Sequence, residues 1–259
     1  MTSPDASRLQ HASDGESRRY QPLPRAAIAF RAEFLDFERG IRVGNLEDNE
    51  RITRLLKIAL EHKHRQPFVT ERWGRGVYWR WIGLLPRANR SAKPLSNRAS
   101  FGCSKYFFMV DTAERLFKCG LQVERGYVRA PAGDCAYRLA GDWDWHRLLR
   151  SLRRGGPMER ELRRLVLDEG FVVFAGSWED EGAVFDRSRP PDLSRLRKAL
   201  RDAPANHWAG FQLYYPMSKR EVQSSSGVDL VEAMLAVFDE VTPAMNLCMQ
   251  IELHAQAEP

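Results

Sequence analysis

Three stretches between residues 72 and 127 constrain the fold more than any other part of the chain. Residues 77–85 alternate along a strand, with Val77, Trp79 and Trp81 on one face and Tyr78, Arg80 and Ile82 on the other. Residues 105–111 and 115–124 read as two further strands, joined by a tight turn at 111–114. Gly74-Arg-Gly76 marks a turn just before the first strand. Three neighbouring strands so close in sequence predict an antiparallel sheet, which the remaining elements must cover.

Those elements mix helices and strands. Ala27, Phe30, Phe34 and Phe37 stand at helical spacing over 26–39, and Gly40 stops the run. Ile52, Leu55, Leu56, Ala59 and Leu60 form one apolar stripe of a helix over 47–62, before the breaker Pro67. Residues 86–99, with Pro, Asn, Ser and Lys, read as an exposed loop. Helices are expected over 142–154, 157–169 and from Pro190, and strands over 170–178, 183–186 and 207–215. A last helix follows Gly227, with Asp229 as its cap and Pro243 as its end or kink. No regular βαβ period appears, so the expected class is α+β, a mixed and mostly antiparallel sheet covered by several helices. Residues 1–24 read as a flexible tail, and 25–259 as one domain with a helical insertion at 132–190.

The hydrophobic content of 43% is enough for a sizeable core. Charge is unevenly spread. Residues 51–100 hold twelve Lys and Arg against Glu61 and Glu71, a balance of +10, whereas 221–259 hold seven acidic residues and no Lys or Arg. The acidic C-terminal helix is therefore a candidate docking face for a protein partner. No apolar run is long enough to span a bilayer and no apolar signal core opens the chain, so the expected location is cytoplasmic.

Most catalytic signatures are missing. Gly102-Cys-Ser-Lys105 has the wrong order for a phosphate-binding loop. Dinucleotide-binding, nucleophile-elbow, His-Glu-x-x-His and Cys-x-x-Cys patterns do not occur. Neither a cofactor nor a metal is expected. Asp111 and Glu124, with Asp142 or His146, form the alternative reading of a metal-dependent nuclease or other hydrolase. Gly126 stands where such a nuclease site would carry Lys, and Asp111 and Glu124 read equally well as a turn residue and an arginine partner. Asp142 or Asp144 reads as a helix cap.

What survives is a basic aromatic segment. Arg72, Arg75, Arg80, Arg87, Arg90, Lys93 and Arg98 are suited to neutralising phosphates, and Trp73, Tyr78, Trp79 and Trp81 to stacking on bases. DNA or RNA is the partner this pattern implies.

The order of several segments resembles the N-terminal DNA-binding domain of McrB-type modification-dependent restriction proteins. The similar segments are Gly74-x-Gly76, the Trp81-Ile-Gly-Leu strand, Tyr106-Phe-Phe-Met-Val-Asp111, residues 116–120, residues 211–215 and the helix over 229–240. The resemblance implies a base-flipping reader with an aromatic pocket, for which Trp81 and Tyr214 are the nearest matches. The expectation is a nucleic-acid-binding protein, a DNA-recognition component of a bacterial defence or mobile-element system. A structural subunit of a larger assembly is the third reading.

Overall fold

The computed structural model describes residues 24–93, 102–128, 139–180 and 182–253. Residues 1–23 of the expected tail and Arg98 lie outside the described residues. The chain folds as α+β. In order, the elements are β1 (Leu35–Asp36), β2 (Gly40–Arg42), α1 (Ile52–His64), β3 (Phe68–Arg75), β4 (Tyr78–Pro86), α2 (Arg87–Ser91), β5 (Ser104–Asp111) and β6 (Leu116–Gly126). Then follow α3 (Asp144–Ser151), α4 (Pro157–Arg163) with a π-helical stretch Arg164–Asp168, β7 (Val172–Ser177) and β8 (Ala183–Phe185). The chain continues through α5 (Leu193–Asp202), β9 (Ala209–Ser218), α6 (Lys219–Ser224) and α7 (Gly227–Asn246).

The strands form one sheet in the order β1-β2-β4-β5-β6-β9-β7-β8, and β3 pairs with the other side of β4. All of these pairings are antiparallel. Period-two alternation decides which side chains meet the helices. Ile82, Phe108, Cys119 and Leu121 lie in the core cluster with Leu213 and Val173 of β9 and β7. The stripe of α1 (Ile52, Leu55, Leu56, Leu60) joins the same cluster, as do Leu230, Met234, Phe238 and Val241 of α7. The stretch 132–190 supplies α3 and α4 and also β7 and β8, and its Leu148, Leu162, Phe171 and Val173 belong to that core.

Some expectations need correction. Residues 26–39 form two 3-10 turns and β1 rather than a helix. The phenylalanines are buried as their spacing suggested, but Asp36 accepts the N–H groups of Glu38 and Arg39, both at 2.9 Å, and turns the chain into β2. The same segment crosses the start of α7 so closely that a Cβ on Gly227 would lie 1.6 Å from the carbonyl oxygen of Phe30. Ser226, not Asp229, caps α7, by accepting the Asp229 N–H at 3.2 Å. Pro243 does not end α7. It lies within the last turn, where Ala244 and Met245 are fully buried and hold the helix through to Asn246.

Lys93 was expected on an exposed loop. Residues 87–91 instead form α2, and Lys93 is buried against Asp144 at 2.9 Å. The Asp144 carboxylate, itself fully buried, also accepts the Asn89 side-chain amide at 2.8 Å and the N–H groups of Ser104 (2.6 Å) and Gln250 (2.8 Å). Lys93 in turn donates to the carbonyl and side-chain oxygens of Asn89. Asp144 is thus the meeting point of α2, β5, α3 and the segment after α7, and does not cap α3. A buried ion pair with its hydrogen bonds satisfied costs several kcal/mol when one partner is removed. Asp144→Ala is expected to lower stability by about 3–5 kcal/mol, read as a lower urea midpoint at unchanged m-value.

Candidate nucleic-acid interface

The β3–β4 hairpin stands at the edge of the sheet, and its tip carries the basic aromatic residues. Its register contains an irregularity. Trp73 pairs with Trp81 but Gly74 pairs with Trp79, so Arg80 is the extra residue of a bulge. Gly74 is required there, because a Cβ would lie 2.5 Å from Trp79 Cα. The bulge breaks the alternation expected from sequence. Trp79 packs against the helix-covered core and lies under the Arg72 guanidinium, 4.0 Å from the ring centroid. Trp81 points to the opposite face, with its ring over Gly83.

Trp73 is 66% exposed and is the most exposed of the large hydrophobic residues described. Together with Arg75, Arg80, Tyr78, Arg39 and Glu38 it lines an open groove of about 620 Å³ between the hairpin and the β1–β2 turn. The Arg39 guanidinium lies 4.4 Å above the Tyr78 ring and pairs with Asp36. Arg72, Arg75, Arg80 and Arg87 are exposed, and among the described residues no carboxylate pairs with any of them. Their charge is left for solvent or a ligand.

The other expected site residues have different surroundings. Arg90 is half-buried and lies 3.9 Å from Glu71. Lys93 is locked to Asp144, as described. Tyr214 is buried beneath the Lys118 ammonium, 5.1 Å from its ring centroid, with the Phe107 ring edge-on at 6.4 Å. Trp81 donates its indole N–H to Gln122 at 3.0 Å. Trp81 and Tyr214 share a sheet face but are engaged within it, and the side chain with an open ring is Trp73. Its exposure follows from a place on an edge strand, which only the strand order reveals.

Behind Trp81 lies a buried polar row that sequence reasoning did not find. Lys105 sits between Glu71 (2.8 Å) and Glu124 (3.2 Å). Gln122 donates to Glu124, and Gln212 donates to Gln122 at 2.7 Å. Glu124 is therefore paired with a lysine, not with an arginine. Burial pushes the Glu124 carboxyl above its ordinary range, and the Lys105 ammonium offsets only part of this. Burial alone would lower Lys105, but Glu124 and Glu71 outweigh it and hold the ammonium charged. One ammonium shared by two carboxylates links β3, β5 and β6, and the Gln122–Gln212 bond extends the row to β9.

The carboxylates of the hydrolase reading do not converge. Asp111 is opposite Leu116 at one end of β6, and Glu124 is near the other, roughly 25 Å away at the rise of a strand. Asp142 accepts the Gln250 side-chain amide instead. Among the described residues no three His, Cys, Asp or Glu side chains group to hold a metal ion. Ser177, His207 and Asp180 do come together, at 3.2 and 2.7 Å, but both contacts use His207 Nδ1. A relay from serine to aspartate needs both ring nitrogens.

The acidic helix is also engaged within the chain. Arg25 meets Asp229 and Glu232 at 3.3 and 3.2 Å, Lys63 meets Asp239 at 2.5 Å, and Arg164 meets Glu240 at 2.7 Å. No helix among the described residues is long and apolar enough to cross a membrane. No protein-family model matches the chain, and no curated protein matches it at a significant level.

One electrostatic consequence is directly measurable. Burial works to raise the Asp111 carboxyl, but the Lys118 ammonium at 2.8 Å and the N–H groups of Glu114 and Ala113 outweigh it and hold the group below its ordinary 3.8. A depressed native carboxyl contributes stability that is complete above the unfolded value, about pH 4. That contribution fades as pH falls through the native value. Asp111→Asn is expected to be less stable than the parent at pH 7, with the difference shrinking as pH falls below about 4, which thermal melts across the acid range would follow.

Proposed function

We propose that this chain is a nucleic-acid-binding protein whose working surface is the β3–β4 hairpin. The observation that carries this reading is the set of exposed arginines without carboxylate partners at the hairpin tip, Arg75 and Arg80 lining the groove beside the exposed ring of Trp73 and Arg72 on the other face of the same strand. On α7 and at Lys93 and Lys105, by contrast, opposite charges are paired. An uncancelled basic surface with an aromatic residue at its centre suits a polyanion that also has flat apolar groups. Phosphates would be neutralised by the arginines and counterions released, so affinity would fall steeply with salt.

Fluorescence anisotropy with labelled oligonucleotides across a salt series tests this. Binding is expected at low salt, with log K falling linearly against log salt. The Arg72→Ala/Arg75→Ala/Arg80→Ala variant is expected to lose at least tenfold in affinity at 50 mM salt and to show a slope shallower by about 2–3. An unchanged affinity and slope in a folded triple variant would remove the reading.

A further inference from the structure

Resting on that reading, we infer that the ligand is a single-stranded polynucleotide, bound by stacking an unpaired base on Trp73 while Arg72, Arg75 and Arg80 hold the neighbouring phosphates. Two independent features of the hairpin lead to this class rather than to duplex.

The first is the state of the ring. Trp73 is 66% exposed and projects from an edge strand, and the groove beside it is open. Within a duplex both faces of a base are covered by its neighbours, so an indole can stack only on an unpaired base or a helix end. Every base has such a face, so this contact is tolerant of sequence.

The second is the width of the element. An antiparallel hairpin can read duplex DNA as a free two-stranded ribbon in the major groove. Here the hairpin is not free. At the level of Trp79 the sheet runs through Gly74 of β3, Trp79 of β4, Ile41 of β2 and Leu35 of β1. Four strands at about 4.8 Å spacing are roughly 14 Å across before side chains are counted, against a groove about 12 Å wide. The hairpin cannot enter. It can offer its edge and tip to a flexible strand lying along them. Alternation along β3 places the consecutive residues Arg72 and Trp73 on opposite faces of that edge, so that phosphates and base can be held from different sides.

The test uses the full chain, with 15-nucleotide oligo(dT), 15-nucleotide oligo(rU) and a 15-base-pair duplex, each fluorescently labelled, at one salt concentration where binding is measurable. At least one single strand is expected to bind ten times more tightly than the duplex, and the dT and rU arms separate DNA from RNA. Trp73→Ala is expected to weaken single-strand binding by about 5- to 150-fold with the salt slope unchanged, and Trp73→Phe to recover most of the loss. Because Trp73 is exposed, both variants should keep the parental melting temperature. Equal affinity for duplex and single strands, or an unchanged Trp73→Ala affinity, overturns the inference and leaves nucleic-acid binding standing. Absence of binding to all three ligands at low salt overturns both.

Discussion

The architecture depends on one carboxylate that is wholly out of water. Isolated in a core, an ionised aspartate would cost far more than a domain's net stability. Asp144 is tolerable there because four donors reach it, from Lys93, Asn89, Ser104 and Gln250. The requirement also runs the other way: α2, the start of β5, α3 and the segment after α7 must all arrive in register to supply those donors. The pair is weak evidence for high stability but strong evidence for a unique arrangement of segments, since any misplaced one leaves a charge unpaired.

Charge is handled differently around Lys105 and along α7 than at the tip of the β3–β4 hairpin. Around Lys105 and along α7, opposite charges are close together and cancel. At the hairpin they are not. The net charge of +6 is therefore less informative than its location. The acidic helix, a candidate docking face in sequence, meets Arg25, Lys63 and Arg164 of its own chain, whereas Arg72, Arg75 and Arg80 of β3 and β4 have no carboxylate partner among the described residues. The aromatic partner of those arginines also differs from the one that alternation suggested. Trp81 is committed to Gln122 and Trp79 lies beneath Arg72, so the open ring belongs to Trp73.

Much of the fold was legible. β5, β6 and β9 follow from short apolar and aromatic runs, the first two joined by a tight turn, and α1 follows from its stripe. The failures have identifiable physics. The phenylalanines of 26–39 have helical spacing, but a local Asp36 turn competes with the helix and wins. The bulge at Arg80 leaves no composition signal beyond Gly74, yet it moves Trp79 to the other face. Lys93 looked like any loop lysine, because its partner is 51 positions away in a stretch that reads as a helix cap. Of the candidate site, the arginines at 72, 75 and 80 could be found from charge and turn signals. The burial of Tyr214 could not, since it depends on Lys118 of β6 and Phe107 of β5.

The strand order has a consequence for how such a chain is made. Among the described residues β9 is the last strand in sequence but lies between β6 and β7, and no other strand joins those two. Until it is added, the sheet exists as two halves with unsatisfied inner edges, one built from β1 to β6 and the other from β7 and β8. The Gln122–Gln212 bond closes 90 residues of sequence and the Asn89–Ile251 bond closes 162. Contacts so distant in sequence form slowly, and an unpaired strand edge is a template for the wrong partner while it waits. A ribosome producing this chain releases two incomplete sheets in succession and then the strand that joins them, so the interval before residues 209–218 emerge is when the protein is most exposed to aggregation.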